Sequence, residues 1–296
     1  MDLSYSQNME DIHLARLFSG QSDGFYIDVG GGHVVADNVS FYFYEKGWRG
    51  LVIEPQASLA AAYRTVRPRD VVIGALAGRQ PGELDFHEAD QYHGLSTTVA
   101  ANAARAKEHG VAATVRRLPV TTLAALCTLH APKRIDFLKV DVEGAEADVL
   151  AGNDWARFRP RVVVIEAVTP WTMQDSSASF EPILLAAGYR FAFFDNLNRF
   201  YLAEEALAEL MSRFPASPLD WGSVRHLGML GMPQDNPEHP DHALARRIPK
   251  EKLSWLNSLS SDELLQLLPA GCDATQPAIR AALARIAAFH DGGYID

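Results

Sequence analysis

The sequence predicts an α/β protein built on one mostly parallel sheet, and three observations carry that expectation. Four apolar, β-branched runs each end in an acid: FYIDVGGG (25–32), GLVIEP (50–55), IDFLKVDVEG (135–144) and RVVVIEA (161–167). Segments of helical period lie between them. A hairpin pattern follows the last, in which residues 189–194 and 199–202 are split by Asp195, Asn196, Leu197 and Asn198, turn-preferring types among them. Continuous Val/Ile/Leu/Phe runs read as strands buried on both faces, and parallel sheets of such strands open a crevice at their carboxyl ends. Asp28, Glu54, Asp141 and Glu166 are therefore expected to rim one cleft. Carboxylates are costly there unless the hydroxyls, amines or cation of a small polar ligand answer them.

Taken in order, residues 8–18 place Ile12, Leu14, Ala15, Leu17 and Phe18 among charges, which predicts an amphipathic helix lidding the sheet and stopping near Gly20. The first strand, 25–29, runs into Gly30, Gly31 and Gly32 and then a helix over 36–46 closed by Gly47. A second strand over 50–54, an Ala-rich helix over 57–66 and a third apolar strand over 70–76 follow. Residues 82–87 read as an excursion strand, 98–109 as a polar helix, and the region ending near Pro119 carries no firm period. A helix over 121–129 leads to the fourth strand, 135–142, then a helix over 145–151. The fifth strand, 162–167, precedes a helix over 180–187 that stops at Gly188. Five parallel strands closed by an antiparallel hairpin match the Rossmann-like, seven-stranded sheet of class I methyltransferases better than an all-parallel dinucleotide fold.

Past Leu202 the pattern changes. Pro215, Pro218, Pro233, Pro237, Pro240 and Pro249 mark irregular chain, while SWLNSLSSDELLQLL and AIRAALARIAAF have helical period. The expected organisation is a catalytic domain over 1–225, a Pro-rich linker over 226–249 and a helical C-terminal extension over 250–296. The ending HDGGYID carries no obvious terminal signal, which suggests a module of a longer protein.

Composition narrows the function. With 48% hydrophobic residues the 296-residue chain has ample material for a core. A formal charge of -10 and a pI near 5.5 argue against a nucleic-acid partner, which needs clustered Lys and Arg. Cys127 and Cys272 lie far apart without a CxxC or Cys/His cluster, so no disulfide framework or zinc site is expected. No run approaches the ~18 apolar residues of a membrane span, and the N-terminus lacks a signal-peptide core. A cytoplasmic protein is the expectation.

The triple glycine between strand and helix is suited to a ligand that approaches the backbone, with helix N-terminal amides facing it. As a dinucleotide fingerprint it fails, because Val35 stands where the third glycine of G-x-G-x-x-G belongs. Asp28 suits a ligand with a cationic amine better than a pyrophosphate. S-adenosylmethionine has that amine, a sulfonium and a carboxylate for the loop amides of Gly30 and Gly32. Glu54 ends the second strand near the ~20-residue offset at which an acid meets ribose hydroxyls; a solvated strand-end acid is the plainer alternative.

The combination of SQNMED (6–11), GFYIDVGGGH (24–33), Asn38, GWRGLVIEP (47–55), IDFLKVDVEGAE (135–146), RPRVVVIE (159–166) and NRFYLAEE (198–205) resembles the FkbM family of methyltransferases. The resemblance spans about residues 4–225, and KVDVEGAE is its most specific part. It implies a class I, S-adenosylmethionine-dependent O-methyltransferase acting on hydroxyls of sugars, glycans or polyketides. Carried over by position, Asp28, Gly30, Asn38 and Glu54 hold the cofactor, Lys139, Asp141, Glu143 and Glu146 lie at the reaction side, and Ser6 and Gln7 join a site lid. Ser6, Gln7, Glu10 and Asp11 have a second explanation as an N-cap and first turn. The chain departs from the family at Gly-Gly-Gly-His, where many relatives carry a larger residue.

An alcohol's proton must leave during methyl transfer. Asp141, Glu143 and Glu166 can supply a general base or, with Asp141 and Glu166 as ligands, hold a divalent cation, magnesium or calcium given the oxygen donors. Glu143 and Glu146 equally suit the following helix's N-terminus. Lys139, inside a buried strand, needs a carboxylate partner, for which Glu166 is expected. His93, in the loop QYHGLST, titrates in the range of a base and His33 lies beside the glycines, although a lone loop histidine is also commonly solvated. Tyr92, Trp171 and Trp221 offer flat faces to a sugar ring or simply pack. The leading expectation is a sugar or glycan O-methyltransferase. Its rivals are an NAD-dependent sugar-nucleotide oxidoreductase and a non-catalytic module whose C-terminal helices bind a partner enzyme or form an oligomer contact.

Overall fold

The computed structural model describes residues 2–89, 93–169, 172–217, 219, 222, 224–249, 251–253, 276–291 and 293–294. Its central sheet holds seven strands: β1 (Phe25–Val29), β2 (Arg49–Ile53), β3 (Val71–Ile73), β4 (Phe137–Val140), β5 (Val162–Glu166), β6 (Tyr189–Phe194) and β7 (Asn198–Ala203). Their spatial order is β6-β7-β5-β4-β1-β2-β3. The first five are mutually parallel, and β7 runs antiparallel to both β5 and β6. The chain moves outward from β1 to β2 and β3, then returns to place β4 on the other side of β1. Such a reversal leaves a crevice at the carboxyl ends of the two central strands.

Burial explains the strand sequences. β1 and β4 are buried at every residue, and β5 at all but Glu166. Between sheet and helices, Phe43 meets Trp48 at 4.8 Å and Phe137 at 4.9 Å between ring centres, contacts that add to simple area burial. Helix α1 (Glu10–Leu17) buries Ile12, Leu14 and Leu17. Helix α2 (Val39–Glu45) begins three residues later than the sequence suggests because Asn38 is its N-cap, its side chain accepting from the Phe41 amide at 2.7 Å. Helix α3 (Ala57–Val66) is followed by fully buried Arg67, whose guanidinium donates to Asp70 at 2.8 Å, Asn38 at 3.0 Å and Ser40 at 2.8 Å. These charge-assisted bonds tie α2 to the sheet edge.

The stretch near Pro119 is a strand. Ala113–Thr121 pairs antiparallel with Gly82–Ala89 and parallel with Leu76–Ala77 in a separate three-stranded sheet. Most of its side chains face solvent, so it has no apolar signature, and its proline has no amide to signal pairing.

The segments on either side of the boundaries expected at 225/226 and 249/250 are in contact among the described residues. Arg225–His226 pairs parallel with Leu3–Ser4, so the expected linker begins in a sheet with the N-terminus. The C-terminal helix Pro277–Ala287 packs on α2 and α3, and Ala281, Ala284 and Ala288 join the main core. Arg285 bridges Asp241, at 2.6 and 2.7 Å, to Glu45, and so fastens linker and extension to α2. The helix expected over 254–268 lies outside the described residues. No helix among the described residues is long and apolar enough to cross a membrane.

Candidate functional site

A cavity of about 450 Å³ opens at the carboxyl ends of β1, β2, β4 and β5. Gly30, Gly31 and Gly32 line one wall, with Glu54 beside them, while Asp141, Glu143 and Glu166 line another region. Ile53, Leu76 and Phe86 supply apolar surface. The cleft thus combines apolar surface with several polar groups, the composition of a small-molecule site.

The glycines are required by contact. Gly30 has φ of 75°, and a Cβ there would lie 1.7 Å from the Asp141 carbonyl oxygen. Gly31 backs onto Tyr63, whose hydroxyl would sit 2.7 Å from an added Cβ. The loop is then pinned by Glu54: Oε2 accepts from the Gly32 amide at 2.8 Å and Oε1 from the Gln56 amide at 2.7 Å. Burial pushes the Glu54 carboxyl up to about 7, against the opposing pull of those two amides. Each carboxylate oxygen takes one amide in these bonds and so has a further lone pair, the acceptor set that suits a vicinal diol.

Two expected cofactor ligands serve the loop from behind. Asn38 is buried, donates to the Gly31 and His33 carbonyls at 2.9 and 3.1 Å, and does not line the cavity. Its amide is consumed in shaping the turn. Asp28, expected on the rim, is sealed beneath the loop at 1% exposure, with Oδ2 accepting from Ser40 and Oδ1 without a partner among the described residues. Burial raises its pKa, while Lys139 opposes the shift. Ser6 likewise points inward, donating to Asp11 Oδ1 at 2.8 Å, whereas Gln7 lines the cavity.

The opposite region is acidic. Lys139 is buried within β4, and its partner is Asp141, whose Oδ2 lies 2.8 Å from Nζ, rather than Glu166. Residues two apart on a strand share a face, so this pairing needs no neighbouring strand. Glu143 adopts φ of 57°, a left-handed turn held by Thr97 Oγ1 and Asn102 Nδ2, which donate to its carbonyl at 2.8 and 2.7 Å. One carboxylate oxygen each from Asp141, Glu143 and Glu166 falls within 4.8 Å of the others. Burial, then the Asp141 charge, pushes Glu143 up to about 9 and Glu166 up to about 11. The cluster therefore takes up protons readily, and its oxygen donors suit a hard divalent cation. Glu146 stands apart: it accepts from the Val142 and Gly144 amides at 3.2 and 3.1 Å and so braces the turn that leads into the helix Glu146–Ala151, whose N-cap, Ala145, makes no side-chain capping bond.

His33 lines the cavity, yet its Nδ1 accepts from the Val35 and Ala36 amides at 3.2 and 2.9 Å, a loop-building role. The side chain of His93 lies outside the described residues, as do Tyr92, Trp171 and Trp221. Sequence reasoning missed Asp37, Phe86, Gly293 and Tyr294, all of which line the cavity. Asp37 follows the glycine loop in a left-handed conformation, φ 51°, and adjacency to the loop was its available signal. Gly293 and Tyr294 arrive from the far end of the chain, for which no spacing rule exists.

No curated protein matches the chain. The model of the methyltransferase FkbM domain matches residues 20–191, the stretch that contains the glycine loop, Glu54 and all three clustered carboxylates. The chain belongs to the FkbM methyltransferase family.

Proposed function

We propose that the chain is an S-adenosylmethionine-dependent O-methyltransferase that modifies a hydroxyl of a sugar or glycan. The observation that carries this reading is the double engagement of Glu54, which fastens the Gly32 amide while keeping acceptor capacity for a ribose diol. The strand order, with β7 inserted antiparallel between β5 and β6, supports assignment to the class I methyltransferases. An absent third glycine, with Val35 in its place, disfavours a nicotinamide dinucleotide.

The cofactor supplies an electrophilic methyl group on a sulfonium. Glu54 and the backbone of Gly30 to Gly32 would hold its nucleoside end, with Ile53, Leu76 and Phe86 as apolar surface for a base. Asp141, kept as an ion pair by Lys139, is positioned to accept the proton of an incoming hydroxyl. Glu143 and Glu166, carrying protons in the ligand-free cleft, donate hydrogen bonds to neighbouring acceptor hydroxyls. In-line displacement depends mostly on positioning, which this polar wall provides.

The convergence of Asp141, Glu143 and Glu166 also favours a second means of acidifying the hydroxyl, a magnesium or calcium ion on those oxygens. Turnover with and without a chelator separates the two. The donor reading itself is tested by calorimetry: S-adenosylhomocysteine is expected to bind and NAD to give no heat. Methyl transfer from labelled donor onto a panel of sugars and glycans tests the acceptor class, and transfer confined to amines or thiols would overturn it.

A further inference from the structure

Residues 5–11 lie outside the stretch matched to the family, yet they are fastened beside the cleft at two points. At one, the Asn38 amide donates to the Tyr5 carbonyl at 3.1 Å, and Asn38 itself holds the loop that leaves β1 through the Gly31 and His33 carbonyls. At the other, Asn8 Nδ2 donates to the Asp195 carbonyl at 2.8 Å, while Glu10 accepts from the Asn8 amide at 2.8 Å and from Asn198 Nδ2 at 2.7 Å. Asn198 is the register partner of Glu166, which puts this second anchorage at the carboxyl end of β5. In the sheet β4 lies between β1 and β5, and Asp141 follows β4. Residues 5–8 therefore bridge the part of the cleft that holds the clustered carboxylates. Glu54 is remote from the β5 anchorage: β2 stands three strand spacings away, roughly 14 Å.

Among the polar side chains of residues 6–11, all but one are consumed in building this segment. Ser6 donates to Asp11 at 2.8 Å, Asp11 accepts from the Tyr5 amide at 2.7 Å, and Asn8 and Glu10 make the bonds above. Met9 turns the chain with φ of 65°, a conformation that a side-chain-bearing residue keeps only where its surroundings impose it. That turn buries Met9 and leaves Gln7 at the cavity wall. Gln7 is the exception: it is exposed, it lines the cavity, and its carboxamide makes no hydrogen bond among the described residues. A carboxamide both donates and accepts, as a hydroxyl does, and it adds no charge beside Asp141, Glu143 and Glu166.

We propose that Gln7 determines acceptor specificity, its carboxamide hydrogen bonding a sugar hydroxyl that neighbours the one methylated, on the β4–β5 side of the cleft. This rests on the donor and acceptor readings above. Residues 5–11 then read the acceptor and leave the donor to the glycine loop and Glu54.

The test compares wild-type full-length protein with Gln7→Met, which keeps the length of the side chain and removes its hydrogen-bonding ends. Methyl transfer is measured on the methyl glycosides of glucose, galactose, mannose and rhamnose and on the monodeoxy analogues of each. For the best sugar the substitution is expected to lower kcat/KM about fivefold, the worth of one neutral hydrogen bond, chiefly through KM. For the analogue that lacks the recognised hydroxyl the change is expected to stay within about twofold, so the variant loses the wild type's preference between the two. Affinity for S-adenosylhomocysteine by isothermal titration should stay within about twofold of wild type. An unchanged kcat/KM overturns the proposal, as does an equal loss on the sugar and all its deoxy analogues, which would make Gln7 a mere wall. Weakened S-adenosylhomocysteine binding would give Gln7 to the donor and overturn it too. Wild-type protein that binds no S-adenosylhomocysteine defeats the donor reading, and wild-type protein that binds it but methylates none of these sugars defeats the acceptor reading; either takes this inference with it. Ligand-free Gln7→Met is expected to melt with wild type, and a lower melting temperature would show that the carboxamide serves the fold, which also overturns the assignment.

Discussion

The carbonyl oxygen of Asp141 fills the space a side chain at Gly30 would need, 1.7 Å from the position of an added Cβ. The Asp141 amide also donates to the Val29 carbonyl at 3.0 Å. The glycine loop after β1 and the acidic end of β4 are therefore joined backbone to backbone, so the two halves of the cleft cannot move independently.

Gly30→Ala tests that coupling. Its φ of 75° costs an L-residue roughly 1–3 kcal/mol, and overpacking against a carbonyl adds about as much. Denaturant unfolding should show a loss of that order, with S-adenosylhomocysteine affinity reduced more than tenfold, about 1.4 kcal/mol. Near-native stability and affinity would show that the loop can detach from β4 without consequence.

Glu54→Gln probes the pinning of the loop. A carboxamide has one accepting oxygen, so either the Gly32 or the Gln56 amide would face an N–H instead. An unanswered buried donor costs roughly 1–3 kcal/mol, which corresponds to about five- to 150-fold weaker donor binding in calorimetry. An affinity within about twofold of wild type would remove Glu54 from the site.

Much of this architecture was legible in the sequence because burial on both faces forces long apolar runs, as in Val162–Glu166. The acids at the ends of such runs marked the crevice correctly for Glu54, Asp141 and Glu166. For Asp28 the same rule misled, since Ser40 and Lys139 answer it from within the protein. A strand-end acid announces a site only if no internal partner reaches it, and partners are a property of the folded chain. Tyr294 was invisible for the complementary reason: its place is set by Arg285, Asp241 and Glu45, residues remote in sequence.

The crowded carboxylates make stability pH-dependent. Folding raises Glu143 to about 9 and Glu166 to about 11 from an ordinary value of 4.5, so the native state binds these protons more tightly than the unfolded chain. Stability from this source is fully present below pH ~4.5 and declines as pH rises toward the folded values. The melting temperature at pH 9 should therefore lie below that at pH 6, and Glu166→Gln, which removes one ionisable member, should shrink the difference. An identical pH slope in the variant would separate Glu166 from the effect.

Lys139 and Asp141 carry two roles that substitution can separate. Asp141→Asn leaves a buried ammonium with its nearest partner gone, and breaking a buried pair typically costs roughly 3–5 kcal/mol. The nearby Asp28 charge also favours the ammonium, so about 2–3 kcal/mol is the expected loss. Lys139→Met added to Asp141→Asn removes the stranded charge and should restore part of that stability in denaturant unfolding. Activity should not follow. If Asp141 accepts the acceptor's proton, both variants lose about 10²–10⁴ in turnover of labelled methyl onto a sugar acceptor. Calorimetry should meanwhile find S-adenosylhomocysteine affinity in the double variant near that of wild type, because the contacts proposed for the donor are Glu54 and the glycine loop. Recovery of turnover along with stability would assign Asp141 to the fold alone and transfer the base role to another group in the cleft.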